Sequence, residues 1–196
     1  MSKNPGPSKK TIDARVRRTR QRLGDALVEL IRRKVFDEIT VKEVVSLANV
    51  SRSTFYTHYR DKNDLFLSDV DDFFEGMATM LSRREDSSER VAPVRELFAH
   101  VADWRRFCVA LVSSGKVHDV MELGQGHLAL GIEQRLSALP RARGVSAKRR
   151  PLVANALAGA LLSLLWWWTT HGLRESPADM DDLYHRLAWA GLGGRF

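Results

Sequence analysis

The side chains best able to do chemistry stand together at 51–59, the run Ser-Arg-Ser-Thr-Phe-Tyr-Thr-His-Tyr. Phe55 and Tyr59 are four apart, so a short helix here turns both inward. Its other face is Arg52, Ser53, Thr54, Tyr56, Thr57 and His58. Solvated helix faces are mostly Glu and Lys, whereas this one has hydroxyls, amphipathic rings and one guanidinium without a carboxylate. Such a face can approach phosphates without repulsion and bond to base edges. Among its exposed residues, Arg52 suits a bidentate contact to guanine, and Ser53 and Thr54 suit hydroxyl contacts to either base. Bond-making chemistry has no comparable cluster. Cys108 lies in the apolar run 107–111, the setting of an inert buried thiol. His100, His118, His127, His171 and His185 show no two-His metal spacing, and no Gly-rich phosphate loop accompanies them. Asp69, Asp71, Asp72 and Glu75 are crowded, but their spacing fits no ligand set and reads as a solvated face. No catalytic residue, metal or cofactor is therefore expected.

The recognition face must be positioned by the residues before it. Thr40 can cap a helix, Glu43 can reach back to the Thr40 amide, and Ile39 and Val44 flank them as a hydrophobic staple. A helix is expected from Val41, with Val44, Val45 and Ala48 at helical spacing, ending at Asn49, which tolerates a left-handed conformation. Ser51 then stands where an N-cap belongs. Two helices joined by so short a turn are either an ordinary αα-corner or a helix-turn-helix whose second helix enters the DNA major groove. The longer run 50–62, followed by Asp64-Leu65-Phe66, resembles the recognition helix and the next helix start of the TetR family of transcriptional regulators. That resemblance implies phosphate contacts at Thr40 and Lys42, phosphate or thymine-methyl contacts at Tyr56, Thr57 and His58, and a phosphate contact at Lys62. Thr57 stands where many relatives carry a second aromatic. Phe55 and Tyr59 read as core.

Charge is distributed in the same sense. The 196 residues carry a net charge of +7, and the excess lies at 1–62, with 15 Lys/Arg against 7 Asp/Glu. A basic segment around the motif is the electrostatic footprint of nucleic-acid binding. Residues 1–10 read as a disordered basic tail. A helix is expected from Thr11 to about Lys34, and Arg15, Arg17, Arg18, Arg20 and Arg22 crowd its opening turns. Arginines there oppose the helix dipole; they are either a solvated face or clamps on the DNA backbone, with Arg17 and Arg18 the chosen contacts. The single cysteine suits a reducing cytoplasm, and no signal-peptide run opens the chain.

Asp61 can cap a further long helix reaching about Arg84, and the rest reads as helix at 93–103, 105–113, 116–139, 150–173 and 177–190, with Ser176 and Pro177 as N-cap and N1. The stretch 152–170 is free of charge and ends in Trp166-Trp167-Trp168. It reads as a soluble helix buried on all sides, or alternatively as the span of a membrane-anchored interaction protein. The fold class is all-α, about nine helices: a three-helix helix-turn-helix head at 11–62 and a helical effector-binding and dimerisation body at 63–196. The resemblance implies that the last two long helices pair with their twins in a homodimer. It also implies a repressor or an activator on a palindromic operator, controlled by a small-molecule effector in the body. Candidate effector-lining residues are Trp104, Phe107, Leu111, His118, Met121, Leu165 and Trp168, each equally readable as plain core.

Overall fold

The computed structural model describes residues 9–83, 88–103, 117–172 and 174–192. These residues hold eight α-helices and no strand: α1 (Lys9–Ile31), α2 (Val41–Ala48), α3 (Arg52–His58), α4 (Lys62–Arg83), α5 (Val94–Asp103), α6 (Val117–Ala138), α7 (Arg150–Thr170) and α8 (Pro177–Leu192). Short 3-10 turns occur at Phe36–Glu38 and Pro140–Ala142. The all-α class read from the sequence is thus observed. The helix expected at 105–113, Cys108 with it, and residues 1–8 of the tail lie outside the described residues. Lys9 and Lys10 belong to α1, which begins before the expected Thr11.

The helix ends follow local chemistry. Thr40 and Glu43 form a complete capping box at α2. Asp61 Oδ1 accepts the amides of Asn63 at 2.8 Å and Asp64 at 2.9 Å, opening α4. At α8, Ser176 Oγ accepts the Asp179 amide at 3.2 Å while Asp179 Oδ2 accepts the Ser176 amide at 3.0 Å. Each is a side chain satisfying N-terminal amides that have no intrahelical partner.

The chain divides into two compact units, the first ending at Asp69 and the second starting at Val70. In the first, α1 buries Leu23, Ala26, Leu27 and Ile31 with Val44, Val45 and Ala48 of α2 and with Phe55 and Tyr59. The opening turns of α4 belong to this unit, past position 62. Leu65 and Phe66 are buried, and the Phe66 ring lies 5.4 Å from that of Phe36. Gly24 gives α1 room beside Asp69, whose Oδ2 would lie 2.6 Å from an added Cβ.

In the second unit the rest of α4 packs on α6. A Cβ at Gly131 would lie 2.5 Å from the Ala78 carbonyl oxygen, and one at Gly124 2.6 Å from the Phe74 ring, so both close approaches require glycine. His127 Nε2 meets Asp71 Oδ1 at 2.7 Å along the same seam. The acidic run at 69–75 is therefore split, Asp69 serving the first unit and Asp71 the second. The N-terminal end of α5 is tied to α8 by Arg90, whose guanidinium pairs with Glu96 and, at 3.0 Å, with Asp181. His185 Nε2 accepts the Val91 amide at 3.1 Å, which leaves Nδ1 to donate to the Asp181 carbonyl at 2.8 Å. Burial pushes the pKa of this imidazole down, in keeping with a neutral linking role.

Helix α7 packs on α6 and α5, burying Ala154, Ala158, Leu161, Leu162, Leu165 and Trp168, the last against Phe98 of α5. The sequence leads one to expect burial on all sides, between a domain core and a dimer interface; the single chain buries the core side and leaves other positions exposed. Leu152 remains 72% exposed and Trp167 49%. By length and composition α7 is apolar enough to cross a membrane, and 33% of its most apolar window is buried. It stops at Thr170 rather than Leu173, because Gly172 adopts φ +99°, a left-handed ending that favours glycine.

Candidate nucleic-acid interface

Helix α3 is held at its start by a web of hydroxyls. Ser51 Oγ accepts the Thr54 amide at 3.0 Å and also lies 2.9 Å from Ser53 Oγ and 2.7 Å from Thr54 Oγ1. Thr57 donates its hydroxyl proton to the Ser53 carbonyl at 3.0 Å. The short hydroxyls foreseen as base contacts are thus already engaged in building the helix start. Phe55 is fully buried and Tyr59 is 5% exposed, so the two residues read as core are core. Arg52, Ser53, Tyr56 and Thr57 are exposed, while Thr54 and His58 are half-buried.

The turn before α3 is fixed from two sides. Asn49 takes φ 50° and ψ 51°, the left-handed conformation anticipated for it. Its carbonyl accepts Arg22 Nη2 at 2.8 Å. Arg20 acts on the other end of α3, donating from Nε to the Tyr59 hydroxyl at 3.0 Å and from Nη2 to Ser68 Oγ at 2.6 Å. Two arginines of the basic cluster in α1 therefore brace the helix-turn-helix from within. Arg15, Arg17 and Arg18 are exposed. These bracing roles were illegible in the sequence, since Arg20 and Tyr59 are 39 positions apart and no local spacing joins them.

At the N-terminus of α2, Glu43 Oε2 accepts the Thr40 amide at 2.9 Å and the Thr40 hydroxyl at 2.8 Å, and Glu43 Oε1 accepts Lys34 Nζ at 2.6 Å. The ammonium of Lys34, with the Thr40 amide and hydroxyl, holds this carboxyl at about 2, well below its ordinary range. Thr40 and Lys42 are exposed beside this cap.

Lys62 differs from the phosphate contact implied by the family resemblance. Its Nζ donates to the carbonyl oxygens of Phe36 and Asp37, both at 2.8 Å, and Ile39 at 2.9 Å, and it sits 4.9 Å from the centre of the Phe36 ring. An ammonium has three donors, and these carbonyls take all of them. Burial pushes its pKa down. In this structure Lys62 ties the 3-10 turn before α2 to the start of α4.

The candidate effector residues do not form one cluster among the described residues. Trp104, Phe107 and Leu111 lie outside them. His118 is exposed and Met121 half-buried in α6. Leu165 and Trp168 are core, the latter 4.9 Å from Phe98 and donating its indole N–H to the Glu175 carbonyl at 2.9 Å. A cavity of about 10 Å³ lined by Ala78, Val91, Leu128, Gly131, Ile132 and Arg135 is one water in size and includes none of them.

Comparison with known proteins agrees with this geometry. Residues 23–68 match the family model of bacterial regulatory proteins, tetR family. A segment of 57 residues is 39% identical to YxbF of Bacillus subtilis (strain 168), an uncharacterized HTH-type transcriptional regulator; the match covers 29% of this chain and 15% of YxbF. Whole-chain similarity is structural. A TetR transcriptional regulator from Streptococcus agalactiae 2603V is 20% identical with a TM-score of 0.59, over 92% of this chain and 99% of that one. DhaS, a dihydroxyacetone kinase operon activator, is 14% identical with a TM-score of 0.65, over 89% and 96%. AlkX, a TetR-family repressor from Dietzia sp. strain DQ12-45-1b, is 14% identical with a TM-score of 0.58, over 89% and 95%. These likenesses carry the fold; the family resemblance is confined to the matched segment, which spans the capping box, the left-handed turn and the whole of α3. Residues 23–68 are thus similar to the DNA-binding segment of the TetR family, and the described residues share the fold of these regulators.

Proposed function

We propose that the protein is a cytoplasmic repressor that binds a palindromic operator as a homodimer and is released by a small-molecule effector. The observation that carries this reading is the outward face of α3. It combines an exposed guanidinium, hydroxyls and a half-exposed tyrosine, has no carboxylate, and lies in the segment holding the chain's whole positive excess. Arg52 is assigned to a guanine edge, with Ser53 and Thr54 beside it. Thr40, Lys42, Arg17, Arg18, Tyr56, Thr57 and His58 are assigned to backbone or thymine-methyl contacts, which fix register. Lys62 supports the site rather than touching phosphate.

Dimerisation is assigned to α7 and α8. Leu152, Trp166 and Trp167 of α7 and Leu183 and Leu187 of α8 are exposed apolar side chains, and the small residues Ala156, Gly159, Ala160 and Ser163 allow close helix approach. On a palindromic operator the two α3 helices of such a dimer would enter major grooves roughly 34–36 Å apart, or a multiple of that, on one side of the duplex. An effector held in the C-terminal unit, with Trp104, Phe107, Leu111, His118 and Met121 the candidate wall, would act through α4, which is one helix shared by both units. It lowers DNA affinity only by its differential binding to the two head spacings. Activation is the second reading, because DhaS, of similar fold, is an operon activator.

The test is selection of bound fragments from a random DNA pool by the purified chain at near-physiological salt, where non-specific binding is weak. Recovery of an imperfect palindrome supports the dimeric reading. A protein that enriches no sequence, even after unfolding and refolding to strip bound effector, overturns it. Placing the palindrome over a reporter promoter then separates repression from activation by the sign of the change.

A further inference from the structure

Arg52 is the first residue of α3, at the helix end where added positive charge opposes the dipole, and it is exposed. A free arginine there would sample many rotamers, and ordering it on DNA would cost affinity. Two ring contacts limit that freedom. The Arg52 guanidinium carbon lies 5.8 Å from the centre of the Tyr56 ring, one helical turn on. The Tyr56 ring is itself set edge-on against Phe55, at 5.4 Å and 89° between planes, and Phe55 is fully buried. A chain of contacts thus runs from the core through Phe55 and Tyr56 to the guanidinium. The neighbouring hydroxyls of Ser53 and Thr54 are engaged with Ser51, which concentrates base discrimination on Arg52.

We infer that Tyr56 is a positioning residue for base recognition, its ring aiming the Arg52 guanidinium at a guanine edge. This rests on the DNA-binding reading above, and it differs from that reading's own assignment of Tyr56 to backbone or thymine-methyl contact. A tyrosine that only touches phosphate through its hydroxyl would affect every sequence alike. One that aims Arg52 affects a single base pair and acts through its ring.

The experiment uses the full chain and its selected operator, with each guanine pair replaced in turn. The ratio of affinities for parent and replaced operator is measured for the parent protein, Tyr56→Phe, Tyr56→Leu, Arg52→Ala and Arg52→Ala/Tyr56→Leu. Circular dichroism and the melting temperature confirm that each variant is folded. The expected result is that Tyr56→Leu loses roughly 3- to 30-fold of the discrimination at one guanine pair, and that Tyr56→Phe keeps it. Adding Tyr56→Leu to Arg52→Ala should lower it no further. The inference is overturned if Tyr56→Leu weakens all operators equally with discrimination intact, or if Tyr56→Phe loses as much as Tyr56→Leu. If Arg52→Ala leaves discrimination unchanged at every position, the assignment of Arg52 to a base falls first, and the role of Tyr56 falls with it.

Discussion

Among the described residues, the outer side of α3 and the outer side of α7 and α8 are both exposed, and they differ in kind. The outer face of α3 is polar, cationic at one end, and mounted on a helix whose every anchor is internal. The outer side of α7 and α8 exposes large apolar side chains, Leu152 at 72% and Leu187 at 58%, beside the Asp182–Arg186 ion pair of α8. Water solvates the first at little cost. Exposing the second is unfavourable by about 25 cal/mol for each Å² of apolar surface, so it calls for another apolar surface. The difference teaches that one helical protein can expose two faces of opposite chemistry, and it is this chemistry that separates the partners proposed for them: a hydrated polyanion for α3, a like helix pair for α7 and α8.

The most severe way to break this comparison is to make the second face resemble the first. Leu152→Glu/Leu187→Glu should leave the helical content unchanged and convert a dimer to a monomer by analytical ultracentrifugation. Operator affinity should then fall by roughly 100-fold or more, since the second half-site no longer adds its binding. A dimer that survives the two charges would remove α7 and α8 from the interface.

Next in size is the contrast between cations that look alike in the sequence. Lys62→Ala removes the donor to three carbonyl oxygens and should cost about 1–3 kcal/mol of stability, read as a lower denaturant midpoint. Arg52→Ala should leave the midpoint alone and lose about 1–3 kcal/mol of discrimination at one base pair. Equal effects of both on stability would deny the division between bracing and reading residues.

Smaller again is Lys42→Ala, which should weaken binding to all sequences alike and reduce the slope of log K against log salt by about one. An unchanged slope would take Lys42 off the phosphate path.

The smallest effect concerns pH. Glu43 has its folded pKa lowered to about 2 from 4.5, so the stability it contributes is fully present above the unfolded value and is lost as pH falls from there toward about 2. Glu43→Gln should flatten the parent's loss of melting temperature across that acid window, and a parallel loss in both proteins would mean the capping carboxylate contributes nothing.

Legibility followed the range of each interaction. The Thr40–Glu43 box, the left-handed Asn49, the Ser51 and Asp61 caps and the Ser176–Asp179 cap are all set by residues within four positions, and each could be read in order along the chain. Phe55 and Tyr59 were legible because four-residue spacing puts both on one side of a helix. Lys62 was not. Its carbonyl partners are 23 to 26 positions away, and nothing in its own neighbourhood distinguishes it from a surface cation. The same holds for Arg20 and Arg22, which stand in a cluster with Arg15, Arg17 and Arg18 yet do different work. In α7 the absence of charge from 152 to 170 hid which side faces the core, because a helix with few polar residues has little periodicity to read.

The sequence by itself determined the all-α class, the capped helix starts at Thr40, Ser51, Asp61 and Ser176, the helix-turn-helix and the chemistry of its outer face, since these depend on backbone amides, side-chain caps and periodicity within a few residues. Only the tertiary structure decided which cations brace the head, that its unit extends to Asp69, that Gly124 and Gly131 seat α4 on α6, and which side of α7 is left exposed. Those outcomes arise where helices distant in sequence meet, and there the available hydrogen-bond partners and free space are set by packing rather than by spacing along the chain.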